Sequence, residues 1–286
     1  MLPSTRARGV TALRTSAQEP KEPMSFKTWF HRFGSPPYIY DLAGRMTPWF
    51  AWPAGVLIAA GLYMGLVMAP ADYQQGDGFR IIYVHVPTAW LSLMAYTTMA
   101  VAAGIGLIWR MKVAHAAAAA CAPIGFWFTA ACLLTGMLFG KPMWGTYWTW
   151  DPRLTFELIL LFQYAGYMGL RSAIEDVQRA DRASAVLAVV GVVNVPIIHF
   201  SVIWWNSLHQ APSVMRLGGP TIATPMLMPL LIAGLGFVLY FVAILLVRLR
   251  AEVLSRERAA SWVRDALSPP PSPPRQPGGE RRTVSP

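Results

Sequence analysis

An all-α, polytopic membrane protein with six transmembrane helices and both termini in the cytoplasm is the fold this sequence predicts, and three observations carry it. Of 286 residues, 55% are hydrophobic and only 13% are charged, against about 25% charged in an average soluble domain. Five stretches hold no Lys, Arg, Asp or Glu: Met46 to Ala71, Ile81 to Trp109, Val113 to Gly140, Ala183 to Met215 and Leu217 to Val247. Each exceeds the roughly 20 residues that a helix needs to cross the hydrocarbon core. The third observation is the placement of the basic residues, which selects six crossings over five.

The first span opens at "TPWFAWP", where Trp49 and Trp52 stand at the expected headgroup level, and the second ends at Trp109 beside Arg110; aromatic residues next to loop charges are interfacial anchors. The third span carries Cys121 and Cys132, about 16 Å apart along an ideal helix. They cannot form an intrahelical disulfide, no C-x-x-C or C-x-x-C-H pattern is present, and small buried packing roles are expected for both. The fourth candidate, Leu154 to Leu170, is 17 residues long and interrupted by Glu157. It reaches only about 25 Å, so a buried re-entrant segment competes with a full crossing. If it crosses, both termini share a side; if not, they are opposed. On the six-span map, one side receives 7 Lys and Arg in residues 1–47, 2 in Arg110–Lys112, 3 in Arg171–Arg182 and 8 after Val247, whereas the other receives only Arg80, Lys141, Arg153 and Arg216. That asymmetry is what the positive-inside tendency produces for cytoplasmic termini.

The chain therefore divides into a cytoplasmic N-terminal extension at 1–47, partly amphipathic or disordered, a six-helix membrane domain at 48–247 with an outer Trp-rich loop at 141–156, and a basic, Pro-rich cytoplasmic tail at 248–286. From Ser268 that tail is too polar to bury a core and is expected to be disordered. The net charge of +10 is spread over cytoplasmic loops and tails facing anionic lipid headgroups, so it calls for membrane lipids and no nucleic acid. The N-terminal region has no apolar run typical of a cleaved signal peptide.

Unusual chemistry gathers on the outer side. His85 enters the membrane there in "YVHVPTAW", and His199 leaves at the same level in "IIHFSVIWWNSLHQ", followed by His209; His31 and His115 fall on the cytoplasmic side. Each outer imidazole could simply be a satisfied packing residue, but their common level favours a ligand site. Zinc usually takes four ligands, and acidic candidates are few. An axial histidine pair leaves four equatorial positions for a porphyrin, whose flat apolar face suits Trp and Tyr. Between these histidines lies "WGTYWTWDPRLT", Trp144 to Thr155. Trp144, Trp148 and Trp150 could pack around a macrocycle, and Gly145 permits close backbone approach. Asp151 with Pro152 is a plausible helix entry. Arg153 could contact a propionate or pair with Asp151 or Glu157. On local chemistry alone, anchoring and capping stand level with ligand binding.

The Trp-rich stretch, together with "YVHVPTAW" and "IIHFSVIWWNSLHQ", resembles the cytochrome c maturation protein C (CcmC) family over about Pro48 to Val247. Larger haem-lyase relatives share the tryptophan signature but have many more spans. The resemblance implies an inner-membrane bacterial protein whose site faces the periplasm. It implies noncovalent, transient binding of haem b, with His85 and His199 as axial ligands and Trp144, Trp148, Trp150, Asp151 and Arg153 presenting the haem. It also implies delivery to the membrane-anchored haem chaperone CcmE, alongside the ABC-type subunits CcmA and CcmB and the small membrane protein CcmD. The long N-terminal extension and Pro-rich tail are less typical of the family. Residues add two exclusions: there is no G-x-x-x-x-G-K-[ST] loop for ATPase chemistry, and no nucleophile or cysteine pair that marks this chain as a bond-forming catalyst. A haem-binding quinol or electron-transfer protein would need the same iron ligands and apolar pocket, and a structural subunit that recruits partners without haem is the remaining alternative.

Overall fold

The computed structural model describes residues 32–210, 213–214 and 218–268. The expected disorder of the tail from Ser268 onward, most of the N-terminal extension including His31, and the loop positions Met215, Arg216 and Leu217 fall largely or wholly outside the described residues. Within them the protein is all-α, with helices α1 (Pro36–Tyr63), α2 (Ile82–Trp109), α3 (Lys112–Trp144), α4 (Pro152–Ala173), α5 (Val177–Gly191), α6 (Asn194–Trp204), α7 (Thr224–Arg256) and α8 (Ser261–Leu267). Among the described residues, five segments are long and apolar enough to cross a membrane: 36–68, 77–109, 112–144, 177–204 and 224–256.

The helices overrun the charge-free stretches at the basic end of the bundle. α1 starts at Pro36, ahead of Met46, because a proline in the first turn fixes φ where no N–H partner is needed. The extra turns are held by Arg250, which stacks 4.3 Å from the Tyr40 ring and crowds Gly44. α1 lies along α7 and touches little else, so Trp49 and Trp52, each 77% exposed, face lipid. The opposite end of α1 passes through one π-helical turn, Met64–Met68. Arg80 donates to the carbonyls of Gly65 and Leu66 there, at 3.1 and 3.0 Å, and holds the first loop in place.

The fifth span, expected to run as one helix from about Ala183 and to end in "IIHFSVIWWNSLHQ", is instead broken at 192–193 and ends at Trp204. Pro196 is the cause: it has no N–H to continue the ladder, and the new helix α6 seats it in its first turn, where none is required. The break is stitched to α4. The Asn194 amide donates to the Phe156 carbonyl and the Gln163 side chain, and Gln163 donates to the Gly191 carbonyl freed by the break. Interrupted helices persist in a membrane only where such partners exist.

α4 is a complete 22-residue helix, about 33 Å long. Its inward stripe, Leu154, Glu157, Leu160, Tyr164 and Tyr167, is buried. Tyr96 of α2 and Tyr164 pack edge-to-face at 5.0 Å in the centre of the core, with Tyr164 donating to the Ser92 carbonyl. Beyond that aromatic layer, Arg171, Asp181, Glu252 and Arg256 tie α4, α5 and α7 together by ion pairs. Cys121 and Cys132 are free and buried, as expected.

Candidate functional site

The α3–α4 connection is a tight loop whose form follows from its sequence. α3 stops where Gly145 adopts φ +78°, a left-handed conformation that suits glycine. Lys141 donates to the Gly145 carbonyl at 3.1 Å and lies over the Tyr147 ring. Asp151 then caps α4, accepting from the Arg153 N–H, while its second oxygen accepts from the Leu208 N–H, both at 2.9 Å. The Nδ1 of His209 is 3.3 Å from the first oxygen. One carboxylate thus fastens the Trp-rich loop to the loop after α6. Burial alone would raise the Asp151 pKa, but contacts from Ser207, Leu208, His209 and Arg153 hold it below the ordinary carboxylate value. Burial, aided by the positive charge of Arg153, pushes His209 down to about 4 against the pull of Asp151, so His209 is neutral at pH 7.

Beside this junction, a cavity of about 300 Å³ opens between α2, α3, α4, α6 and the loops, at the lower end of the usual ligand-pocket range of roughly 300–1,000 Å³. His85, His199, His209, Arg153 and Glu157 line it with Trp144. Its remaining wall is largely apolar, including Trp90, Phe79 and Phe139. His85 is held from α3, with Nδ1 2.9 Å from the Thr135 hydroxyl. His199 packs edge-on against Phe200, which stacks on Trp204. Trp144 meets His209 edge-to-face at 5.1 Å. Glu157 is buried and shares a 2.6 Å hydrogen bond with Ser92.

The predicted residues therefore separate into two groups. His85, His199, Trp144 and Arg153 share the cavity, joined by His209. Trp148 and Trp150 form their own edge-to-face pair at 5.5 Å, with Trp150 76% exposed, over a shallower hollow lined by Asp151, Asn206 and Ser207. Arg153 forms an ion pair with neither Asp151 nor Glu157 among the described residues, which leaves its charge at the cavity. Sequence reasoning missed Thr135 and Gly136 and took Cys132 for packing alone, although Cys132 also lines the cavity. The available signal was the polar pair "TG" one turn beyond Cys132 in an otherwise apolar helix.

The donor set suits an iron that arrives already chelated. Two imidazoles come from different helices, a guanidinium is at hand for a carboxylate, and the walls are aromatic. Among the described residues, no group of three or more His, Cys, Asp or Glu gathers to hold a bare ion. The family model described as CcmC, "Heme exporter protein C", matches residues 29–264. The chain belongs to this family. A protein named heme exporter protein C from Haemophilus influenzae is 48% identical over 236 residues, 82% of this chain and 96% of its own. Its namesake in Escherichia coli K12 is 47% identical over 237 residues, 83% and 96% of the two chains. A ccmC-like mitochondrial protein of Marchantia polymorpha, named for cytochrome c biosynthesis, is 41% identical over 188 residues, 66% and 78%. The family match spans the whole cavity lining, from Gln75 to Leu230.

Proposed function

We propose that this protein handles haem for cytochrome c maturation: it holds haem b noncovalently at the periplasmic face of the bacterial inner membrane and hands it to the chaperone CcmE. The observation that carries the reading is one aromatic cavity lined by His85, His199, Trp144 and Arg153 together. His85 and His199 serve as axial ligands, Trp144 covers the macrocycle, and Arg153 orients a propionate. Trp150, exposed at the loop surface, and its half-buried partner Trp148 present the haem edge to the partner, and Asp151 holds the loops that carry them. CcmA and CcmB, as ABC-type subunits, and CcmD are the implied companions. ATP-driven steps belong to them, and passage of haem through these helices is not required.

The test follows labelled haem from the detergent-solubilised protein to CcmE. The intact protein should bind one haem reversibly and lose it to the chaperone without itself becoming covalently modified. His85→Ala and His199→Ala should each change the iron-ligand spectrum, whereas Trp148→Ala should keep the haem but slow its transfer. Unchanged spectra in both histidine variants would reject the ligand assignment and make His209 the next candidate. Quinone-dependent redox turnover without transfer would favour the electron-transfer alternative.

A further inference from the structure

We propose that Thr135 is a positioning residue that fixes the tautomer of His85 and so prepares it as an iron ligand; this rests on the haem-binding reading above. A threonine hydroxyl has one hydrogen to donate and two lone pairs to accept with. The Thr135 Oγ1 lies 2.7 Å from the Ala131 carbonyl and 3.1 Å from the Cys132 carbonyl, one turn back on α3, and a carbonyl only accepts. The single hydrogen is therefore directed into the helix, as is usual for a threonine in an apolar helix. The same Oγ1 lies 2.9 Å from His85 Nδ1, and with its hydrogen committed it acts there as an acceptor. That acceptor calls for a hydrogen on Nδ1.

Neutral imidazole carries one N–H, so a hydrogen at Nδ1 leaves Nε2 with its lone pair free. Metal-bound histidines generally donate their other ring N–H to such an oxygen, which fixes ring orientation and raises ligand basicity. Clearance comes from the next residue. A Cβ on Gly136 would sit 3.2 Å from His85 Cε1, tight enough to displace the ring, so glycine lets α3 hold the imidazole this closely. Without Thr135 the ring would keep its place in the cavity wall but lose the partner that selects Nδ1–H.

The experiment uses the full chain in detergent, reconstituted with haem, as Thr135→Val, Thr135→Ala, Thr135→Ser and His85→Ala. Three quantities are read: the rate of haem loss to excess apomyoglobin, the low-spin iron g-values and the midpoint potential. Thr135→Val and Thr135→Ala should lose haem about 10-fold faster or more, in line with outer partners of metal ligands. Their potentials should move positive, because a less basic imidazole stabilises ferric iron less. Thr135→Ser, which retains the hydroxyl, should match the unaltered protein. If the valine variant does not fold, the smaller alanine variant decides the matter. An unaltered spectrum in His85→Ala would remove the ligand assignment itself. Loss of that spectrum with unchanged retention and potential in Thr135→Ala would sink the Thr135 proposal alone, and so would a serine variant that behaves like alanine.

Discussion

His209 stands between Asp151, whose carboxylate is 3.3 Å from its Nδ1, and the positive charge of Arg153, with His85 on the facing helix. Burial wins, and the folded site protonates His209 only at about 4. In a detached loop the imidazole returns to its ordinary value near 6.5. The folded pKa is the lower one, so loop docking is at full strength above about pH 6.5 and weakens as pH falls toward 4, at up to about 1.4 kcal/mol per pH unit. Hydrogen exchange across residues 205–210, corrected for intrinsic rates, should therefore show more opening at pH 5 than at pH 7. His209→Gln should lose most of that difference; an equal pH response in both proteins would exclude His209 as its source. At this scale the sequence was legible where chemistry is scarce. His85, His199 and Arg153 stand out in apolar surroundings, and the capping role of Asp151 follows from the proline after it. Thr135 was not legible, since a threonine in a membrane helix normally bonds its own backbone, and only the arrival of α2 reveals its second partner.

Elements were legible by length and charge, and misread where a side chain substitutes for backbone continuity. The stretch from Ala183 to Met215 contains no charge to mark an end, so hydropathy alone reads one helix. Pro196 starts the break at 192–193, but its tie to α4 is made by Asn194 and Gln163, two polar residues on different elements whose meeting no local pattern announces. The break matters because α6 carries His199. Asn194→Leu should leave the Phe156 carbonyl and Gln163 without their amide partner and destabilise the protein by about 1 kcal/mol, since polar bonds within membrane bundles average somewhat less and reach about 1.7. Unfolding in mixed detergent measures that loss. The same variant should weaken haem retention, because α6 carries His199 into the cavity wall. An unchanged unfolding midpoint together with unchanged retention would show that Pro196 alone maintains the break.

For the molecule as a whole, the question left by composition is whether α4 crosses. Its charge-free core is too short, and it falls outside the five segments that length and hydropathy select. The folded helix answers the physical objection to a crossing. Its 22 residues give about 33 Å, enough for a hydrocarbon core of about 30 Å. The residue that lowers its hydropathy, Glu157, is buried against Ser92 and does not face lipid. A polar stripe turned inward makes a span look marginal on a linear scale while its outer face, with Phe162 and Ile159 exposed, remains apolar. With α4 counted, the α3–α4 loop and the α4–α5 turn at Glu175 and Asp176 lie on opposite sides of the membrane, and the proposed haem site shares the side with fewer basic residues. Single cysteines at Tyr147, Asp176 and Ser268, introduced into a chain with Cys121 and Cys132 replaced by alanine, should test this in sealed, right-side-out bacterial cells with a membrane-impermeant maleimide. Tyr147→Cys should label in intact cells, whereas Asp176→Cys and Ser268→Cys should label only after the membrane is opened. Labelling of Tyr147→Cys and Asp176→Cys from the same side would reduce the count to five and place the two chain ends on opposite faces. The positive-inside distribution would then no longer explain where the basic tails lie.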